Sequence, residues 1–540
     1  MHIPLRKALS VLGKSSPFSV STVNERSKDD LDQYKDRLYV EQQIEKEFRE
    51  RASKLNRGEI IFLCGSSGDG KSEILTRAFN TFKDRCVFHL DATHSFSAHE
   101  TAIEALDRLF DQFVSAARPL ILGINIGMLA NYAKEGEERH SLIKDKITSF
   151  LREGLDQIGG FHFLDFESFS KFKFNDDGEF SEFTEKLLHN LSEQSPENPF
   201  YLSARQSESD VSESKLVANF YLLGLPGVRK VIITQLFKAR LLKDQFITTR
   251  AILDLLHHLL TSDAYLFDNL YMAGANELIE RTAEFDPALL RTKKLDDFIL
   301  RYELGLPDPE LEVFVAKLSN LNIYFNRATP KPGDAVSLIR LFSLLRDENI
   351  ANNYHRQFLA EFADTTLLEY SKIWNLHSNY DGAAPDKITI RKYYTGMFTA
   401  GILRYANRNA SEMLGSNNEI FLGYYGSSKL AAKVDIRFDF DKLSTLSRRR
   451  KSIHFYATLK VFDTSLSEFA VTMSLFELLT KLNLGYRPNK YDKNAVVLLD
   501  EIVEKIKIIA KKQGRLKIYS AGNSYATEMD DGMIIFSRGA

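Results

Sequence analysis

The run Gly65-Ser66-Ser67-Gly68-Asp69-Gly70-Lys71-Ser72, followed by Glu73, gathers residue types that suit one kind of ligand. Its glycines admit a turn tight enough to aim successive backbone N–H groups at an anion. Lys71 adds a mobile positive charge with the reach to meet β- and γ-phosphates. The Ser72 hydroxyl suits Mg²⁺ at the start of a helix whose dipole favours negative charge. Gly65, Ser66, Ser67, Gly68, Asp69, Gly70, Lys71, Ser72 and Glu73 are therefore the expected contacts of a nucleotide, with ATP and Mg²⁺ as the expected ligands. Ile60-Ile61-Phe62-Leu63 before the run and SEILTRAFNTF after it supply the strand and the helix that such a loop must join.

Holding a nucleotide is separate from hydrolysing it, which also needs a carboxylate near Mg²⁺ and a group that orients water. Two strand-ending acids qualify. Asp91 follows Val87-Phe88-His89-Leu90, and Asp165 follows Phe161-His162-Phe163-Leu164 with Glu167 close by. Each is equally suited to capping a turn. Asn125 ends the run PLILGIN, where an amide can sense a γ-phosphate or merely form the turn before Gly127. The expected catalytic set is Lys71, Asp91, Asp165 and Asn125, with Ser72 and Asp91 serving Mg²⁺ through the nucleotide. Arg250, near a helix start after Phe246-Ile247-Thr248-Thr249, would reach a γ-phosphate from a lid, and Arg291 is a second choice. A salt-bridged surface arginine is the competing reading of both.

Other constellations are weaker. His89, His94 and His99 fall at intervals of five, matching neither helical nor strand spacing for metal ligands. His257-His258 lies in an otherwise apolar helical segment, where packing histidines are ordinary. Cys64 and Cys86 are the only cysteines, which argues against a structural zinc site and suits a reducing compartment. The basic run Arg448-Arg449-Arg450-Lys451 lies between two strand candidates and could touch a nucleic-acid backbone or be a solvated loop. Tyr486, Arg487 and Lys490 could extend such a patch.

These residues need elements to position them. From Gly58, the short apolar runs EIIFLCG, CVFHLD, PLILGIN and FHFLDFE alternate with helix-length segments, the pattern of a parallel α/β sheet. Before it, YKDRLYVEQQIEKEFRERASKL reads as one exposed helix. The polar stretch from Asn175 to Lys215 suggests an end to the α/β unit. TTRAILDLLHHLL, capped by Thr248 or Thr249, then ANELIERTAEF and DAVSLIRLFSLLRDENI read as helices. Alternation in VDIRFDFD and the apolar run IHFYATLKVF mark strands. SEFAVTMSLFELLTKL and AVVLLDEIVEKIKIIAKK read as helices, and RLKIYS as a last strand. The expected architecture is an α/β P-loop NTPase domain with an AAA-like parallel sheet, followed by a helical region and a C-terminal α/β domain. The expected boundaries are 1–57 for an N-terminal helical extension, 58–180 for the core, 181–305 for a helical lid, 306–415 for a helical linker and 416–540 for the C-terminal domain. At 540 residues the chain is too long for one core. Its 44% apolar and 27% charged content and net charge of -2 fit an ordinary globular protein with no global polyanion affinity. No apolar run has the length of a membrane span or signal peptide, so a cytoplasmic location is expected.

The segments GSSGDGKSEILTRAF, HLDATHSFSAHETAIEAL, PLILGINIGML and FDPALLRTKKLDDFIL, in this order, resemble the DptF subunits of bacterial DNA phosphorothioation-dependent restriction systems. The resemblance implies a cytoplasmic defence component that works with DptG and DptH subunits on DNA lacking the modification. It carries Gly65, Gly70, Lys71 and Ser72 onto that family's nucleotide loop and transfers no nuclease residue. The implied activity is ATP binding with hydrolysis. The alternative is a nucleotide-controlled scaffold or switch that assembles partners without significant turnover.

Overall fold

The computed structural model describes residues 3–13, 30–90, 101–116, 118–175, 178–243, 245–272, 274, 276–326, 329, 331–414, 418–443, 454–520, 523–530 and 533–538. Asp91, His94, His99 and the run Arg448 to Lys451 lie outside these residues. The chain divides into two compact units, Met1–Phe172 with Ser181–Ala363, and Lys173–Phe180 with Asp364–Ala540.

In the first unit the four apolar runs are strands, β1 (Ile60–Cys64), β2 (Val87–His89), β3 (Leu120–Ile124) and β5 (Phe161–Asp165), and a short β4 (Gln157–Ile158) precedes the last. The sheet order is β2-β3-β1-β5-β4, parallel except for the β4–β5 pair. All five residues of β1 are fully buried. That is why its sequence is continuously apolar rather than alternating, because both faces of a parallel sheet are covered. Ile60, Phe62 and Cys64 face α5 (Ala102–Ala116), α6 (Ile126–Glu135) and α7 (Ser141–Glu153), through Leu106, Phe110, Leu129, Tyr132, Ile147 and Phe150. Phe62 stacks on Phe163 with 4.9 Å between ring centroids, and Phe163 on Phe150 at 4.4 Å. Ile61 and Leu63 face the other way, toward Ile44, Phe48, Ile74, Leu75 and Ala78.

Those last residues correct an expectation. Tyr34 to Leu55 is two helices, α2 (Asp32–Leu38) and α3 (Gln43–Lys54), separated at Tyr39–Gln42. The stripe Ile44, Phe48 and Ala52 on α3 is fully buried against the sheet instead of exposed. The thin apolar spacing was a narrow core-facing stripe on a helix whose other faces carry charge. Further upstream, α1 (Leu5–Leu9) buries Leu5, Ala8 and Leu9 within the same unit.

After the sheet the first unit is helical. It includes α8 (Glu182–Ser192), α9 (Pro199–Ser207), α10 (Ser214–Leu223), α11 (Pro226–Leu242) and α12 (Thr249–Thr261), the last capped by Thr248, whose Oγ1 accepts from the Ala251 N–H at 3.1 Å. The segments ANELIERTAEF and DAVSLIRLFSLLRDENI form helices over Glu277–Ala283 and Asp334–Leu344. No single helix among the described residues is long and apolar enough to cross a membrane.

The second unit pairs helices with antiparallel strands. The hairpin of β6 (Lys173–Asn175) and β7 (Gly178–Phe180) belongs to it, with Phe174 against Tyr370 and Trp374. Its largest sheet joins β8 (Glu419–Tyr425), β9 (Ser428–Lys433), β15 (Arg515–Ser520), β16 (Asn523–Asp530) and β17 (Met533–Arg538) in the order β17-β16-β15-β9-β8. Two expected strands differ. VDIRFDFD pairs only over β10 (Ile436–Phe438), and IHFYATLKVF splits into β11 (Phe455–Ala457) and β12 (Leu459–Val461), which join different sheets, β12 lying between β10 and the short β13 (Thr464–Ser465). The break is at Thr458, whose carbonyl accepts the Asp439 N–H at 2.9 Å. SEFAVTMSLFELLTKL is strand β14 (Phe469–Val471) followed by the helix Met473–Asn483, and the last long helix spans Lys493–Lys512.

Candidate functional site

The carboxyl end of β1 sits between two parallel neighbours whose connections run to opposite sides, the position where open α/β sheets bind ligands. Cys64 is in register with Ile124 of β3 and with Asp165 of β5, so Asn125 and Asp165 flank the first loop residue, Gly65. The loop then turns into α4 (Lys71–Phe82). Gly68 (φ 86°) and Gly70 (φ 106°) hold left-handed conformations that a side chain resists. Gly65 is needed for another reason: a Cβ there would lie 2.8 Å from the Phe166 ring.

The loop is built from its own chain. The Lys71 ammonium, 8% exposed, donates to the carbonyls of Gly65 and Ser66, both at 2.8 Å. The Gly68 carbonyl accepts the Arg250 N–H at 3.0 Å, the Asp69 carbonyl accepts the Thr249 hydroxyl at 3.1 Å, and the Gly70 carbonyl accepts the Ile74 N–H at 3.1 Å. The Asp69 carboxylate is buried and accepts the Ser66 N–H at 2.8 Å. With the carbonyls of Gly65, Ser66, Gly68, Asp69 and Gly70 engaged, the N–H groups of Ser67, Gly68, Gly70 and Ser72 are left without a hydrogen-bond partner among the described residues. Unpartnered N–H groups beside an ammonium at a helix N-terminus can hold an anion. Ser72 is half-buried in the first turn of α4. Glu73, in the same turn, accepts from Arg77 at 2.6 Å, and the Arg77 guanidinium lies 3.7 Å from the centre of the Tyr39 ring.

The expected catalytic companions are only partly gathered here. The side chain of Asp165 accepts the Glu167 N–H at 3.1 Å. Burial pushes its carboxyl up to about 6; the Glu167 N–H pulls it down, and the charges of Glu167 and Asp69 add to the rise. The Asn125 Oδ1 accepts the Met128 N–H at 2.6 Å as the cap of α6, so its turn-forming role is the one visible. Arg250 reaches the loop through its backbone, while its guanidinium donates to the Leu12 carbonyl and to Asp254 at 2.9 Å. Arg291 is exposed and 3.7 Å from Asp296. His257 and His258 lie in α12, where burial lowers the pKa of both rings. Among the described residues no group of three His, Cys, Asp or Glu side chains is placed to hold a metal ion.

Sequence reasoning missed two features. The first turn of α12 grips the loop backbone. Lys171, which is half-buried, forms an ion pair with Asp69 at 3.1 Å. A shallow cleft beside this pair is lined by Asp69, Phe166, Lys171, Arg240, Phe246 and Ile247, among others. Lys171 in SKFKFN, far along the chain from the loop, carries no local signal of such a role. No protein-family model, curated protein or solved structure matches the chain.

Proposed function

We propose that the chain is an ATP-binding P-loop NTPase of AAA-like type that hydrolyses ATP with Mg²⁺ as a cytoplasmic subunit of a phosphorothioation-dependent DNA restriction complex. The observation that carries the nucleotide reading is the loop itself, where the carbonyls of Gly65, Ser66, Gly68, Asp69 and Gly70 are engaged and the N–H groups of Ser67, Gly68, Gly70 and Ser72 have no partner among the described residues, beside Lys71 at the start of α4. A triphosphate fits that donor set. Gly65 to Ser72 would cradle the phosphates, Lys71 would neutralise their charge, and the Ser72 hydroxyl would face Mg²⁺, whose role is to spread negative charge during phosphoryl transfer. Asp91 or Asp165 would complete the metal's surroundings and Asn125 would orient water. The restriction context, with DptG and DptH as partners, rests on the resemblance of the four quoted segments. Lys71→Ala is expected to weaken ATP binding at least about a hundredfold and to stop turnover and restriction of unmodified DNA. Unchanged ATP affinity, measured by titration calorimetry, refutes the reading.

A nucleotide-controlled scaffold is the second reading. It is favoured by Asp165, whose burial makes its carboxylate form less available to a cation, and by Asn125, whose Oδ1 already caps α6. Phosphate release decides. Robust turnover that Asp91→Asn or Asp165→Asn abolishes excludes the scaffold. DNA contact is proposed for Arg448, Arg449, Arg450 and Lys451. Neutralising these four is expected to weaken DNA binding and flatten its salt dependence, and an unchanged slope removes them from the interface.

A further inference from the structure

An anion-binding loop that carries a buried carboxylate presents an electrostatic problem. Asp69 is 1% exposed and lies within the loop, where its negative charge opposes any phosphate that arrives. Its Oδ2 is also structurally committed, accepting the Ser66 N–H at 2.8 Å. Lys171 meets this problem from outside the motif. Its ammonium, at the end of a side chain 8% exposed, stands 3.1 Å from Asp69 Oδ1 and 5.3 Å from the centre of the Phe166 ring, the ring that closes over Gly65. The Lys171 backbone is fixed in turn, its carbonyl accepting the Ser181 hydroxyl at 2.7 Å. Other charged groups near Asp69 among the described residues are Lys71, which is turned onto the carbonyls of Gly65 and Ser66, the carboxyls of Asp165 and Glu167, and Arg240, which lines the same cleft 3.9 Å from Glu167.

We infer that Lys171 is a positioning residue for the phosphate loop, which acts through Asp69 by neutralising a carboxylate that fixes the loop but would repel the ligand. The inference rests on the nucleotide reading above and extends it to a residue outside the motif. Lys171 touches no phosphate. It keeps the strut from Asp69 to Ser66 compatible with a polyanion, so its loss should be felt in proportion to the charge bound.

The test is a set of affinities for ATP, ADP and adenosine, measured by titration calorimetry on the full chain, with thermal unfolding of each variant alongside. Lys171→Met is expected to weaken ATP binding by at least about tenfold, ADP binding less, and adenosine binding least. Lys171→Arg is expected to retain near-wild-type affinity because the charge is kept. The double variant D69N/K171M is expected to recover ATP affinity to within about threefold of wild type, since an asparagine Oδ1 can still accept the Ser66 N–H without the charge. Equal losses for ATP and adenosine, or no recovery in the double variant, overturn the inference. Where Lys171→Met alone does not fold, the double variant decides: affinity near wild type upholds the inference, and a loss above about tenfold refutes it. Failure of the two readings is separable. Wild-type protein that binds no nucleotide removes both, whereas binding that Lys71→Ala abolishes and Lys171→Met leaves intact removes only this one.

Discussion

The two large sheets treat apolar sequence in opposite ways. In the first unit the run Ile60-Ile61-Phe62-Leu63-Cys64 is wholly buried, because β1 has a parallel neighbour on each side and helices on each face. In the second, Met533-Ile534-Ile535-Phe536 of β17 is as apolar, yet its residues are 71%, 63%, 52% and 65% exposed. Strand β17 is the edge of an antiparallel sheet, paired with β16 alone. Burial is thus decided by what lies on either side of a strand, and composition alone does not report it. The difference extends to chemistry. Parallel strands end together, so β1, β3 and β5 deliver Gly65, Asn125 and Asp165 to one edge, whereas the antiparallel sheet alternates its strand ends and gathers no comparable set among the described residues.

The sharpest way to break this comparison is to truncate one aromatic in each sheet. Phe62→Ala is expected to cost about 3–5 kcal/mol in denaturant unfolding of the first unit, through lost burial and the cavity left beneath Phe163. A loss below about 1 kcal/mol would mean that the parallel sheet is not the core it resembles. A smaller effect tests the strand ends. Burial raises the folded Asp165 carboxyl to about 6, so the folded state holds that proton more tightly than the unfolded chain. Its stabilising contribution is complete at pH below the ordinary aspartate range and is lost as pH rises through about 6. Asp165→Asn should therefore match wild type near pH 4 and exceed it by about 1–2 kcal/mol near pH 7.5, a figure reduced because the carboxyl still meets solvent. A stability difference that does not change with pH contradicts this. The least effect is expected at the exposed edge, where Phe536→Ser should shift stability by no more than about 0.5 kcal/mol. A cost like that of Phe62 would erase the contrast between the sheets.

Much of the first unit was legible in the sequence because its information is local. Continuous β-branched and aromatic runs specify buried parallel strands, and glycine, lysine and serine at fixed offsets specify the loop between β1 and α4. Thr248 announces α12 as its cap for the same reason. What escaped depends on distant partners. The alternation in VDIRFDFD is real, but only Ile436–Phe438 finds a pairing strand, and Thr458 divides its neighbour between two sheets. The break between α2 and α3 follows from the sheet demanding the stripe Ile44, Phe48 and Ala52, which no local rule distinguishes from an exposed helix. Lys171 pairs with a residue about a hundred positions away, and the grip of Thr249 and Arg250 on the loop spans still more chain. Asn125 was legible as a strand-end amide, while its present partner, the Met128 N–H, is a detail of how α6 begins.

The grip of α12 on the loop gives the proposed phosphate site a mechanical character. Because the Gly68 and Asp69 carbonyls are tethered to Arg250 and Thr249, the outer half of the loop and the first turn of α12 form one bracket, closed when the chain folds. The conformational freedom surrendered in shaping the loop is lost during folding, so an anion bound as proposed would meet a finished mould and need not order the backbone around itself.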